Sequence, residues 1–177
     1  MAHSSTMPPY AFSARDALII IVRAGLTTAI IDGLFSGVLS VTVYGSTFSR
    51  LFQGVAATVV GNSAFTGGVR TVALGVLMHC GVAFGWSAVF VLMVWRWGLI
   101  REVLASRFGA FKLAVVYGPA IWLVMSLLVI PILVHRAPTI SIRWWVQFLG
   151  HFPFVGLPIV ASVRAGIRRS ESQPAHE

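Results

Sequence analysis

Three ionisable side chains interrupt long apolar stretches of this chain, namely Asp32, His79 and His151. Such groups are costly inside a bilayer, so those found in membrane-spanning helices usually take part in a function. Counted along helices at about 1.5 Å per residue, the three lie roughly 10 to 18 Å below the same membrane surface. We therefore expect them to face one polar interior, where a carboxylate and two imidazoles would bind a small ligand.

Hydroxyl and amide side chains on neighbouring segments are expected to complete this interior. The candidates are Ser36, Ser126 and Gln53, with Asn62 as an alternative to Gln53. A structural role is the competing interpretation: Asp32 would be a protonated carboxyl bonded to a hydroxyl, and each histidine a neutral imidazole bonded to a carbonyl or hydroxyl. A polar pocket that reaches water from one side would favour ligand binding over this alternative.

The two histidines allow a further hypothesis, because His79 and His151 stand on different helices and could supply both axial ligands of a haem. No C-x-x-C-H attachment motif occurs, so such a haem would be held non-covalently. A zinc site would need more ligands than two histidines and one aspartate supply. No nucleotide-binding loop, nucleophile elbow or metalloprotease motif occurs, so nothing supports an enzyme and the cofactor stays undetermined.

The first apolar stretch carries one polar and one small-residue row at four-residue spacing, and each row stacks along one face of a helix. The small row ends in Gly33-x-x-x-Gly37, and Gly81-x-x-x-Gly85 occurs in the second apolar stretch. Small residues let helices approach closely, so we expect these two helices to cross at the glycines, with a contact between two copies as the alternative. The rows consist of Thr28, Asp32, Ser36 and Ser40, and of Gly25, Ala29, Gly33 and Gly37.

The composition is that of a membrane protein. Of 177 residues, 57% are hydrophobic and 10% are charged, whereas a soluble domain carries about 25% charged residues. The 13 basic residues give a net charge of +8, but they fall singly at the ends of apolar segments and form no aromatic-basic patch. The pattern argues against nucleic acid as a partner and for the lipid bilayer. The single cysteine, Cys80, lies in an apolar run and offers no disulfide framework.

The apolar stretches predict an all-α fold, a polytopic membrane bundle of four transmembrane helices. Spans are expected over about 17–45, 70–95, 113–134 and 144–163, since a helix needs roughly 20 apolar residues to cross the hydrocarbon. Between the first two spans, 47–66 has an apolar core of only about ten residues, which predicts a short interfacial or re-entrant helix. Residues 1–16 are expected to form a polar arm, and 164–177 a disordered polar tail.

The basic residues also predict an orientation. If both termini are cytoplasmic, eight basic residues lie on the cytoplasmic side, Arg23 lies at that interface, and four lie outside. Cytoplasmic loops carry the excess of lysine and arginine, so this arrangement is preferred. The eight are Arg15, Arg96, Arg101, Arg107, Lys112, Arg164, Arg168 and Arg169, and the four are Arg50, Arg70, Arg136 and Arg143.

Several short motifs resemble those of a family of small bacterial inner-membrane proteins with about four transmembrane helices, an uncharacterised group. The motifs are Gln53 followed by Ala-Phe-x-Gly-Gly at 64–68, Met-His at 78–79, and His151 with Val-Gly-Leu-Pro at 155–158. The chain departs from the group at Cys80, where a bulky aromatic residue is common. The resemblance implies a multi-pass protein of the bacterial inner membrane and points to both histidines, but it implies no activity.

Three functions from different classes follow. The first is binding or translocation of a small ligand in a polar intramembrane pocket at Asp32, His79 and His151. The second is a structural or assembly subunit of a membrane complex, in which the small-residue rows are contact surfaces. The third is a non-covalent haem-binding electron carrier. A four-helix bundle is small for a transporter, so the first hypothesis also predicts a homo-oligomer.

Overall fold

The structure, a computed structural model, describes residues 13–172 and places all of its regular elements in helices. Residues 1–12 of the predicted polar arm lie outside the described residues, and 14–16 already belong to the first helix, which begins three residues earlier than predicted. The described part holds six helices. They are α1 (Ala14–Thr42), α2 (Phe48–Val60), α3 (Gly68–Arg96), α4 (Gly98–Ala105), α5 (Gly109–Val134) and α6 (Ile142–Ser172), with a 3₁₀ turn over Gly61–Thr66.

Four of these helices, α1, α3, α5 and α6, are long and apolar enough to cross a membrane. The prediction of an all-α membrane bundle with four spans and a short helix between the first two is confirmed. Many large apolar side chains point away from the bundle, as in Leu77 and Val116, which are each 69% exposed. A protein in water would bury such residues, whereas lipid chains cover them in a bilayer.

Helix contacts fix how the spans run. Gly25 of α1 lies against Phe84 of α3, and Gly33 lies against His79, so these two helices are antiparallel. Gly166 of α6 lies against Ile20 near the start of α1, which makes α6 antiparallel to α1 as well. One end of the bundle, the basic end, therefore holds the start of α1 and the end of α6. The opposite end is called the far end.

The apolar core occupies the half of the bundle nearer the basic end. Phe90, Val94, Ile159, Val160 and Val163 are almost completely buried there, contributed by α3 and α6. The half nearer the far end is different, because Asp32, His79 and His151 lie in it. The fold thus separates a packed apolar half from a half that contains ionisable groups.

Short α2 packs against α1 and α3 near the far end. Its 13 residues cover about 20 Å, too little to cross a bilayer. The ring of Phe48 lies against Gly37, and the backbone of Phe52 lies where a side chain on Gly75 would stand. Glycine at these positions lets α2 approach both spans closely, so the ring of Phe52 reaches the neighbourhood of His79.

The last span is longer than predicted. We expected it to end near residue 163, but the helix continues to Ser172. Val163 and Ile167 are buried at four-residue spacing, and Gly166 brings the helix onto Ile20. These contacts extend the helix through a stretch whose arginines indicate a polar tail. The last five residues lie outside the described part of the chain.

The prediction that the glycine pairs of α1 and α3 contact each other is wrong, although the two helices do pack together. Gly81 and Gly85 are exposed, and a side chain added at either would meet nothing within 4 Å. Position 81 lies two residues, or about 200°, around the helix from His79, which faces α1. The two glycine pairs therefore do not meet, and Gly33 and Gly37 receive His79 and the ring of Phe48 instead.

Two one-turn π-helices interrupt the third and fourth spans. One covers Met125–Val129, just before Pro131, and the other covers Phe152–Gly156 and contains Pro153. Proline has no N–H to donate, so the backbone around it readily changes its hydrogen-bonding step. Such turns are frequent at functional sites. The second of them begins immediately after His151.

Candidate functional site

Asp32 and His79 form a close pair between α1 and α3. The carboxylate Oδ2 lies 3.9 Å from the ring Nδ1, and both side chains are mostly buried. The other ring nitrogen, Nε2, lies 3.0 Å from the carbonyl oxygen of Ala29 and donates its proton to it. In the neutral ring the Nδ1 atom is therefore an acceptor. Two acceptors, Nδ1 and Oδ2, then face each other across a gap that a single donor would fill.

The second oxygen of Asp32 is also without a donor. Within residues 13–172, Oδ1 is buried and has no hydrogen-bond partner, and the same holds for the hydroxyl of Thr28 one turn earlier. An unsatisfied buried polar group costs about 1–3 kcal/mol, and more if it is charged. Native proteins retain such groups mainly where a function, an ion or a water uses them. With His79 neutral, Asp32 thus offers two oxygens to a donor that the described residues do not supply.

His151 completes the set from the fourth span. Its ring Nδ1 lies 2.7 Å from the carbonyl oxygen of Gln147 and donates to it, and Nε2 makes no hydrogen bond within the described residues. The ring is buried and lies within electrostatic range of the Asp32 carboxylate, as does His79. The carboxylate therefore lies within electrostatic range of both imidazoles, and each imidazole is oriented by a backbone carbonyl.

Aromatic rings surround the histidines. The ring centroid of Trp122 lies 4.7 Å from that of His151, and Phe52 approaches His79 edge-on at 5.8 Å. Phe35, one turn after Asp32, stacks on Phe154 with centroids 4.0 Å apart. Sequence analysis did not select these rings as part of the site, because aromatic residues are common in any apolar span. The set of Asp32, His79, His151 and Trp122 is called the polar site below.

Close contact between α5 and α6 holds His151 in place. A side chain at position 118 would overlap the carbonyl oxygen of His151, and a side chain at position 156 would overlap the carbonyl oxygen of Ala114. The helices therefore meet backbone to backbone on both sides of the π turn. This proximity fixes the height of His151 relative to α5 and brings Trp122, one turn after Gly118, onto its ring.

The hydroxyl and amide residues predicted to complete the site lie on different elements of the fold. The hydroxyl of Ser126 is buried and accepts a hydrogen bond of 3.1 Å from the indole N–H of Trp144, so it joins α5 to α6. Gln53 is buried on α2 and Ser36 is half-buried on α1, and neither side chain makes a hydrogen bond within the described part of the chain. Asn62 is exposed in the 3₁₀ turn. Ser126 therefore holds the indole ring of Trp144 in place.

The two histidines do not fit a haem. Bis-histidine ligation requires a ring nitrogen of each histidine to face the iron. The Nε2 atom of His79 donates to Ala29 and its Nδ1 atom faces Asp32, so neither ring nitrogen of His79 faces an iron. Among residues 13–172, no group of three histidine, cysteine, aspartate or glutamate side chains is arranged to hold a metal ion.

Comparison with protein-family models, with curated proteins and with solved structures gives no match to this chain. What the protein is follows from the structure: a multi-pass helical membrane protein with four candidate spans.

Proposed function

We propose that this protein is a multi-pass protein of the bacterial inner membrane, with both termini cytoplasmic, that binds a small cation in the polar site. One observation carries the proposal. The Asp32 carboxylate is largely buried, one of its oxygens has no hydrogen-bond partner among the described residues, and the other faces an imidazole nitrogen across 3.9 Å. A small ligand with N–H donors or a positive charge would satisfy both oxygens.

The charge of the site supports a cation over an anion. Asp32 is the one carboxylate of the described residues that lies away from helix ends and loops, because Asp16, Glu102 and Glu171 stand near the basic end. Buried charge needs a partner of opposite sign to offset its lost hydration.

Translocation of the bound ligand is consistent with the irregular backbone beside the site. The π turn over Phe152–Gly156 directly follows His151, and discontinuous helices are frequent at transporter binding sites because they expose backbone dipoles. The exposed pair Gly81 and Gly85 supports a second candidate function, a subunit that assembles with another membrane helix. Small residues alone do not identify a partner, so cation binding is the preferred function.

Thermal unfolding of the detergent-purified protein tests cation binding. We expect one of ammonium, methylammonium, guanidinium, sodium or potassium chloride, compared at constant ionic strength, to raise the melting temperature saturably. At a concentration of about 100 Kd the stabilisation is about 2.7 kcal/mol, which corresponds to roughly 5–10 °C for a chain of this size. Methanol and acetamide serve as uncharged controls of similar size. If no cation stabilises the protein more than these controls do, the proposal fails.

A further inference from the structure

A groove separates α1 from α6 at the basic end, remote from the polar site. It has a volume of about 370 Å³. Glycine at position 166 lets α6 lie close to Ile20, and the groove lies beside this contact. The side chains that matter for its chemistry are Asp16, Ile19, Ile20, Arg23, Arg169 and Ser170. This surface is called the basic groove.

Two arginines of the basic groove have no partner of their own. Arg23 and Arg169 are exposed, and within residues 13–172 neither makes an ion pair or a hydrogen bond. Asp16 also lines the groove, but its carboxylate accepts hydrogen bonds from the backbone and hydroxyl of Ser13 at 3.2 and 2.8 Å. The two guanidinium groups are therefore available to an anion, and arginine binds phosphate oxygens through paired N–H donors.

The position of the groove determines where that anion comes from. Arg23 lies nine residues into α1, about 13 Å along the helix from Ala14. Around it Leu18, Ile19 and Leu26 are exposed, and this apolar surface faces lipid chains in a bilayer. An arginine at this depth extends its side chain toward the headgroups while its stem stays in contact with the acyl chains. A lipid phosphate reaches both the arginines and the apolar wall, whereas a dissolved anion uses only the arginines.

We propose that the basic groove is a binding site for a phospholipid with an anionic headgroup, whose phosphate lies between Arg23 and Arg169 and whose acyl chain runs toward the membrane core along the exposed Leu26 of α1. Basic pockets between membrane helices bind such headgroups in the same way. The site is independent of cation binding at Asp32, because the two lie in opposite halves of the bundle. It would tie the last turns of α6 to the bilayer.

Native mass spectrometry of the intact protein in mild detergent tests the site. The protein is titrated with phosphatidylglycerol, with phosphatidylcholine of the same acyl chains, and with inorganic phosphate. We expect phosphatidylglycerol to bind with one preferred stoichiometry and much more tightly than the zwitterionic lipid. Each arginine near the membrane surface raises the affinity for an anionic lipid about fivefold. The double variant Arg23→Gln/Arg169→Gln should therefore bind phosphatidylglycerol about 30-fold more weakly.

A matched double variant provides the control. Arg15→Gln/Arg168→Gln removes the same charge from the same two helices, but neither residue lines the basic groove. It should bind phosphatidylglycerol as the unmodified protein does, and circular dichroism should show that both variants fold. Equal weakening in the two variants would show attraction by net charge alone and would overturn the proposal. Inorganic phosphate that displaces the lipid at similar concentration would overturn it too, because the anion alone would then account for binding.

Discussion

The Asp32→Asn variant is expected to fold and to lose cation binding by about 10- to 150-fold, the range of 1.5–3 kcal/mol for a hydrogen bond to a charged group. Asparagine keeps the shape of the side chain and removes the negative charge. The carboxylate is buried with one oxygen unpartnered, so its removal also relieves a desolvation cost. The melting temperature without ligand should therefore stay equal or rise. Calorimetric titration with the cation found in the thermal screen measures the affinity.

Asp16→Asn is the matched control, because it makes the same chemical change on the same helix. Asp16 lies at the start of α1, where it forms a capping box with Ser13. The variant should keep full affinity for the cation and lose about 0.3–1 kcal/mol of stability, because the negative charge in the first turn of α1 is removed. Asp32→Asn should therefore lose cation affinity without losing stability, whereas Asp16→Asn should lose stability without losing cation affinity. Unchanged cation affinity in Asp32→Asn would show that the polar row of α1 serves packing alone.

The Gly118→Ala variant is expected to destabilise the bundle by about 1–3 kcal/mol, as overpacking of a tight contact does. The added methyl group would overlap the carbonyl oxygen of His151 and lie 2.9 Å from the Cα of Phe152. These are backbone atoms, which cannot rotate away as a flexible side chain can. The helices must separate, and His151 moves with them, so cation affinity should fall together with the melting temperature.

Gly81→Ala is the control for this prediction. An added methyl group there meets nothing within 4 Å, and replacing glycine by alanine inside a helix normally stabilises it by about 0.5–1 kcal/mol. Thermal unfolding and cation titration of both variants give the comparison. Equal melting temperatures for the two variants would contradict the close contact of α5 with α6 at His151.

Much of the fold could be predicted because a bilayer requires helices of a minimum length. The ten-residue apolar core of 47–66 excluded a span, and the structure has short α2 there. The end of α6 was missed because its arginines indicate a tail, although Val163 and Ile167 already stand at helical spacing. Local composition does not show that the apolar core of the bundle extends to those two residues.

The site was accessible to sequence analysis only in part. The cost of burying charge singled out Asp32, His79 and His151, and the structure brings the first two within 3.9 Å. The rotation of α3 could not be inferred, and for this reason the expected contact of Gly81 and Gly85 with α1 failed. The place of Trp122 depends on a backbone contact at Gly118 and on a π turn, and neither leaves a periodic pattern in the sequence.

Asp32, His79 and His151 are expected to form one electrostatic unit, and nuclear magnetic resonance of protein labelled with ¹⁵N-histidine tests this without any ligand. His135 is an internal reference, because it is exposed in the turn between α5 and α6. Comparing unmodified protein with Asp32→Asn, we predict that the ring nitrogen resonances of both His79 and His151 shift while those of His135 stay in place. If only one of the two, or neither, responds to the change at Asp32, the polar site does not exist as described.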